Sequence, residues 1–159
     1  MKVAIVSEAM HKPPAKSFYP LFKLIEQRYD VTYFPDAKNI VGEFDVIWIH
    51  SIRKNRYIRS KTPIVFMPHG NMIFNLKTEK DFIKNNWKIL KLKELVRRIG
   101  AYFKYIQLVR LEKKMLDSAD VVMCYCQDNA DIFIKQHPDI PKEKYFVIGY
   151  GCDYENFVC

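Results

Sequence analysis

KVAIVSEAMHKPPAKSFYPLFKLIEQRYDVTYF, Lys2 to Phe34, is the stretch whose reading decides the fold. Lys2 to Ser7 is an apolar run of strand length with no polar alternation, so both faces of that strand belong inside. Ser17 is placed to cap a helix with Pro20 in its first turn, and Leu21, Leu24, Ile25 and Tyr29 recur at helical steps to give it one apolar face. Val31 to Phe34 then reads as a second strand. For strand, helix and strand in that order, a parallel pair with a right-handed crossover is the default.

The same alternation continues along the chain. Asp45 to His50 (DVIWIH), Pro63 to Pro68 (PIVFMP), Asp120 to Cys126 (DVVMCYC) and Tyr145 to Tyr150 (YFVIGY) supply four more apolar strands. The expectation is an α/β domain over residues 1–150, with a Rossmann-like parallel sheet flanked by helices in two layers. With 49% hydrophobic and 14% aromatic content, the 159 residues suffice for one core of ordinary size and exclude a disordered chain. No apolar run approaches 18 residues, and Val3 to Val6 is too short for a signal-peptide core, so a cytoplasmic protein is expected. The four cysteines contain no C-x-x-C pair, so neither a zinc site nor a disulfide framework is expected.

The net charge of +8 is localised. Residues 77–114 hold twelve Lys and Arg against four acids, and the remainder holds fourteen of each sign, so the excess belongs to one helical stretch. Within it Leu92, Leu95, Val96, Ile99, Tyr102, Phe103, Ile106 and Val109 recur at three- and four-residue steps. Gly100 is where a helix over Glu79 to Leu116 would bend or divide. Lys84, Lys88, Lys91, Arg97 and Arg98 are the candidate contacts to an anionic membrane surface, which would make the protein peripheral on the inner face. The plainer outcome is that the apolar stripe packs on the sheet and the charges form a solvated face. No nucleic-acid-binding motif accompanies the charge, so nucleic acid is not the expected partner.

Open α/β sheets bind ligands beyond the carboxyl ends of their strands. His69 falls there, directly after PIVFMP and before Gly70 and Asn71, where an imidazole reaches a crevice and can donate to a sugar hydroxyl or a phosphate. The loop after the first strand, Glu8 to Lys16 (EAMHKPPAK), has no glycine and carries Pro13 and Pro14, which lack N–H donors, so it makes a poor phosphate cradle. Its candidates for an anionic acceptor are His11, Lys12 and Lys16, with a mobile basic loop that holds no ligand as the plainer expectation, and Glu8 is its carboxylate.

Three segments, in order, resemble the family 4 glycosyltransferases of the GT-B fold. PIVFMPHG resembles the strand that leads to a His and a Gly near the reaction centre. LEKKMLDSADVVMCYCQDNADIF, from Leu111, resembles a signature in which a Glu stands eight positions before the Asp of an Ala-Asp pair; Glu112, Ala119 and Asp120 fit, with Cys126 for the usual Ser and Gln127 for the frequent Glu. KYFVIGYGCDYENFV, Lys144 to Val158, resembles the interdomain hinge at Val147, Ile148, Gly151, Asp153 and Phe157, with Gly149, Tyr150 and Cys152 where Pro, Asn and Val are usual.

The resemblance implies the single N-terminal, acceptor-side domain of a GT-B enzyme, with residues 151–159 starting a hinge to a second domain that this chain lacks. It implies transfer with retention from a nucleotide-sugar donor to an acceptor, with no metal or other cofactor. His69 would be the catalytic contact to the donor sugar, and Glu8, Lys16, Gly70, Asn71, Gln127 and Gly151 the acceptor or donor contacts. The nucleotide would be held mainly by the missing donor domain, in cis or in trans. Two readings from other classes stand beside this one. The first is a non-catalytic membrane-surface or scaffold module that uses only the basic helix 77–114. The second is half of a sugar-nucleotide epimerase, which needs crevice carboxylates of which Glu8 is the visible candidate.

Overall fold

The computed structural model describes residues 1–7, 19–50, 58–68 and 71–149, the backbone alone for 19–21. Its strands are β1 (Lys2–Val6), β2 (Asp30–Phe34), β3 (Val46–His50), β4 (Ile64–Met67), β5 (Val121–Cys124) and β6 (Tyr145–Val147). They form one Rossmann-like sheet in the order β2-β1-β3-β4-β5-β6, and every neighbouring pair is parallel. The helices are α1 (Tyr19–Arg28), α2 (Met72–Asn86), α3 (Leu92–Ser118) and α4 (Gln127–Gln136).

Strand alternation divides the core into two layers. Val3, Ile5, Trp48 and Met67 point to the face covered by Phe22 of α1. Ala4, Val6, Ile47, Ile49, Ile64, Phe66 and Val122 point to the other face, against Met115 and Leu116 of α3 and Ala130 and Phe133 of α4. Burying each of the larger aliphatic and aromatic side chains contributes roughly 1.5–3 kcal/mol, which is why the apolar runs become central strands. The two outer strands differ from the expectation of burial on both faces. β2 is half-exposed, and Phe146 and Val147 of β6 are exposed, because an edge strand has one neighbour and less cover.

Asp45 and Asp120, read in sequence as the first residues of strands, instead lie one position before β3 and β5. Each holds the start of an adjoining strand. The Lys2 N–H donates to Asp45 Oδ2 at 2.7 Å, and the Ile64 N–H donates to Asp120 Oδ2 at 2.8 Å. These bonds satisfy donors at the amino edge of the sheet and fix the β1–β3 and β4–β5 registers. On the far side of β1, the Tyr33 hydroxyl of β2 donates to Glu26 Oε1 of α1 at 2.5 Å.

The basic insert is a helical hairpin rather than one long helix. Asn85 and Asn86 are poor helix formers, and Asn86 Nδ2 donates to the Phe82 carbonyl at 2.9 Å, so α2 ends there and the chain reverses over Trp87 to Lys91. Gly100 lies inside α3 without dividing it, and a Cβ at that position would meet nothing within 4 Å. Past β6, Gly149 has φ of +73°, a left-handed conformation closed to proline. In the hinge pattern proline is usual at this position, so the backbone here departs from that pattern in a physically definite way.

Candidate functional site at the carboxyl edge of the sheet

Because all six strands are parallel, their carboxyl ends share one edge. β1 connects to β2 on one side while β3 adjoins it on the other, so the strand order reverses between β1 and β3. The crevice beyond such a reversal is where open α/β sheets take their ligands. Val6 lies opposite Ile49, and the next residues, Ser7 and His50, are both buried. By strand alternation their side chains fall on the α1 face. The Ser7 N–H donates to the Phe34 carbonyl at 3.0 Å, and the Phe22 ring meets the His50 ring edge-on at 5.7 Å and the Trp48 ring at 5.5 Å. His50 was not a sequence candidate. The signal was a polar residue closing an apolar strand, the same one that singled out His69.

A second cluster holds the chain as it leaves β4. Glu112 of α3 is fully buried, yet it is an acid. Its Oε2 accepts the Met72 N–H at 3.1 Å, which puts a carboxylate at the amino terminus of α2, where orphan N–H groups and the helix dipole favour negative charge. Its Oε1 lies 3.5 Å from His137 Nε2 at the end of α4, and neither atom has a hydrogen-bond partner. Asn71 caps α2 by accepting the Phe74 N–H at 2.8 Å, and its Nδ2 donates to Gln136 Oε1 at 2.5 Å. Four side chains from two helices and the cap therefore fix the segment that follows Gly70.

Of the sequence-predicted ligand contacts, Asn71 and Gln127 are both at this carboxyl edge. Asn71 serves as the α2 cap. Gln127 begins α4, is exposed, and donates from Nε2 to Asp131 Oδ1 at 2.8 Å. Glu8, Lys16, His69, Gly70 and Gly151 lie outside the described residues, as do His11 and Lys12. Among the described residues no group of three or more His, Cys, Asp or Glu is arranged to hold a metal ion. Cys124 and Cys126 are free thiols; burial, with the neighbouring Cys126 as a lesser cause, pushes the Cys124 thiol up to about 11.

The basic candidates lie on the hairpin, away from this edge, and they divide into two kinds. Arg98 packs over the Phe82 ring at 4.2 Å, and its guanidinium donates to Glu79 Oε1 at 2.8 Å and to Glu94 Oε1 at 3.0 Å, so it braces α3 against α2. Arg97 donates twice to Glu94, at 2.5 and 2.9 Å, and chiefly by this bond holds the Glu94 carboxyl down to about 2. Lys84, Lys88 and Lys91 are exposed and make no ion pair with any described residue; Lys88 Nζ sits 5.7 Å from the Trp87 ring centre. No helix among the described residues is long and apolar enough to cross a membrane.

Compared with protein-family models and with curated proteins, the sequence matches none.

Proposed function

We propose that this chain is the acceptor-side domain of a GT-B sugar transferase, in which the carboxyl-edge crevice holds the acceptor and His69 contacts the donor sugar. The observation that carries the reading is the bracketing of β4. The signature segment containing Glu112 and Asp120 takes the Met72 N–H just past β4 and the Ile64 N–H at its start. Two of the segments that resemble the family thus support each other in space, and the supported strand is the one that leads to His69.

In this reading catalysis is mainly positioning. Holding donor and acceptor in near-attack geometry supplies roughly 7–11 kcal/mol of the barrier, and it needs a donor-binding domain opposite this one. The nucleotide sugar is a substrate, transfer proceeds with retention, and this domain contributes no metal or cofactor. His69 supplies a hydrogen bond that tightens as charge develops, so it acts on turnover more than on acceptor affinity.

The test is nucleotide-sugar-dependent transfer by this domain with its donor domain, covalently joined or added separately. His69→Ala should lower kcat about 100-fold while changing acceptor Kd less than threefold. Full activity of that variant would remove the role of His69. Turnover by residues 1–159 alone would overturn the half-enzyme reading.

A further inference from the structure

The apolar stripe of α3 faces away from the core along its first half. Successive helical residues turn by about 100°, so Leu92, Val96, Ile99 and Phe103 lie within an arc of about 60°. Tyr105, Leu108, Glu112 and Leu116, which pack towards the sheet, centre on the opposite side of the same helix. All four residues of the outer stripe are exposed, Leu92 by 77% and Phe103 by 58%. At the hairpin turn Trp87 and Ile89 are exposed by 58% and 80% and extend the apolar surface around the tip. Single exposed apolar residues are ordinary; four on one arc of a helix, with two more in the turn that leads into it, point to a contact surface.

Charge identifies the occupant. The ridge is flanked by Lys84, Lys88, Lys91, Lys93 and Lys104, all exposed and outside any ion pair with a described residue. A second copy of this chain would bring the same positive field against itself, which opposes self-association. A bilayer with anionic headgroups accepts both features together. Its interface takes the indole and the aliphatic stripe to shallow depth while lysines reach phosphates beside them.

We propose that the outer ridge of the α2–α3 hairpin docks this protein on an anionic lipid surface, with Trp87, Ile89, Leu92, Val96, Ile99 and Phe103 inserting and the flanking lysines pairing with headgroup phosphates. Docking orients the carboxyl edge relative to the bilayer and does not depend on the chain being a transferase.

The full 159-residue chain should co-sediment with vesicles of phosphatidylcholine containing 30% phosphatidylglycerol, on the order of tenfold more than with phosphatidylcholine alone, and less so as salt screens the charges. Trp87 emission should shift to the blue on binding, with a Trp87→Phe control separating it from buried Trp48. Leu92→Gln with Phe103→Gln, and separately Lys88→Glu with Lys91→Glu, should each lower partitioning at least tenfold while leaving the thermal unfolding midpoint in place. Vesicle binding that survives the apolar pair would reduce the surface to a nonspecific cation and overturn insertion. No vesicle binding, or a concentration-dependent dimer lost in the Leu92→Gln, Phe103→Gln variant, would assign the ridge to a protein partner instead. None of these readouts involves sugar transfer, so they stand or fall apart from the transferase proposal.

Discussion

Glu112 and Asp120 hold two successive elements, β4 and α2: the buried Glu112 side chain accepts the Met72 N–H at the start of α2 at 3.1 Å, and the Asp120 carboxylate accepts the Ile64 N–H at the start of β4 at 2.8 Å. The nine residues from Glu112 to Asp120, the end of α3 and its exit turn, thereby tie the start of β4 and the start of α2 to one segment. A polar side chain such as Glu112, at 0% exposure, is tolerated where groups face it, here the Met72 N–H and the His137 ring.

Removing the Glu112 carboxylate should be the most damaging polar change in the described fold. Glu112→Ala leaves the buried Met72 N–H without its acceptor and opens a cavity beside the His137 ring, at a cost of about 3 kcal/mol. Glu112→Gln keeps an acceptor for Met72 and should cost about 1 kcal/mol. Urea unfolding of both variants measures the difference; midpoints equal to that of the unchanged chain would mean that the Glu112 side chain holds nothing.

Asp120→Ala should cost about 1–2 kcal/mol by freeing the Ile64 N–H between two central strands. Asp45→Ala removes the same kind of bond from the exposed end of β1 and should cost about half as much, since water replaces the acceptor. Hydrogen exchange at the Ile64 and Lys2 amides reports each clamp separately, and each substitution should speed exchange at its own amide alone.

Gly100→Ala should raise stability by about 1 kcal/mol. The position is inside α3, the added methyl meets nothing within 4 Å, and alanine restricts the unfolded chain while favouring helix. A fall in the unfolding midpoint would mean that the helix bends there in solution.

Alkaline stability follows from a buried thiol and a partly buried phenol. Burial pushes the Cys124 thiol up to about 11 and, as the main cause, the Tyr145 phenol up to about 12. In the unfolded chain both lose their protons at lower pH, so their contribution is fully present below the ordinary thiol and phenol values. It is lost as pH rises through about 11 for Cys124 and about 12 for Tyr145. Cys124→Ala should flatten the first part of that decline in urea titrations above the ordinary thiol value. At pH 8 iodoacetamide should leave Cys124 unmodified in the native protein and label it once urea is added, because the reactive species is the thiolate.

By itself the sequence determined the six strands, their parallel arrangement and the α/β class, because unbroken apolar runs such as Val3–Val6 and Ile47–Ile49 have no stable place except inside a sheet covered on both faces. It also located the positive charge and marked His69 as a strand-end histidine; that residue and its neighbour Gly70 lie outside the described residues. Only the tertiary structure decided the strand order that puts Ser7 and His50 at the reversal point, since periodicity says nothing about which strands become neighbours. The same is true of the eight-residue stripe on α3. Its spacing is identical whether it faces core or solvent, and contact with the core alone buries Val109 partly while leaving Leu92 and Phe103 outside. In sequence Glu112 stood out only through a motif and Arg98 only as a basic residue for a membrane surface, and neither reading named a partner within the chain. Packing separated them, because one side of α3 faces the amino end of α2 and another faces Glu79, and a charge takes its meaning from what it meets there.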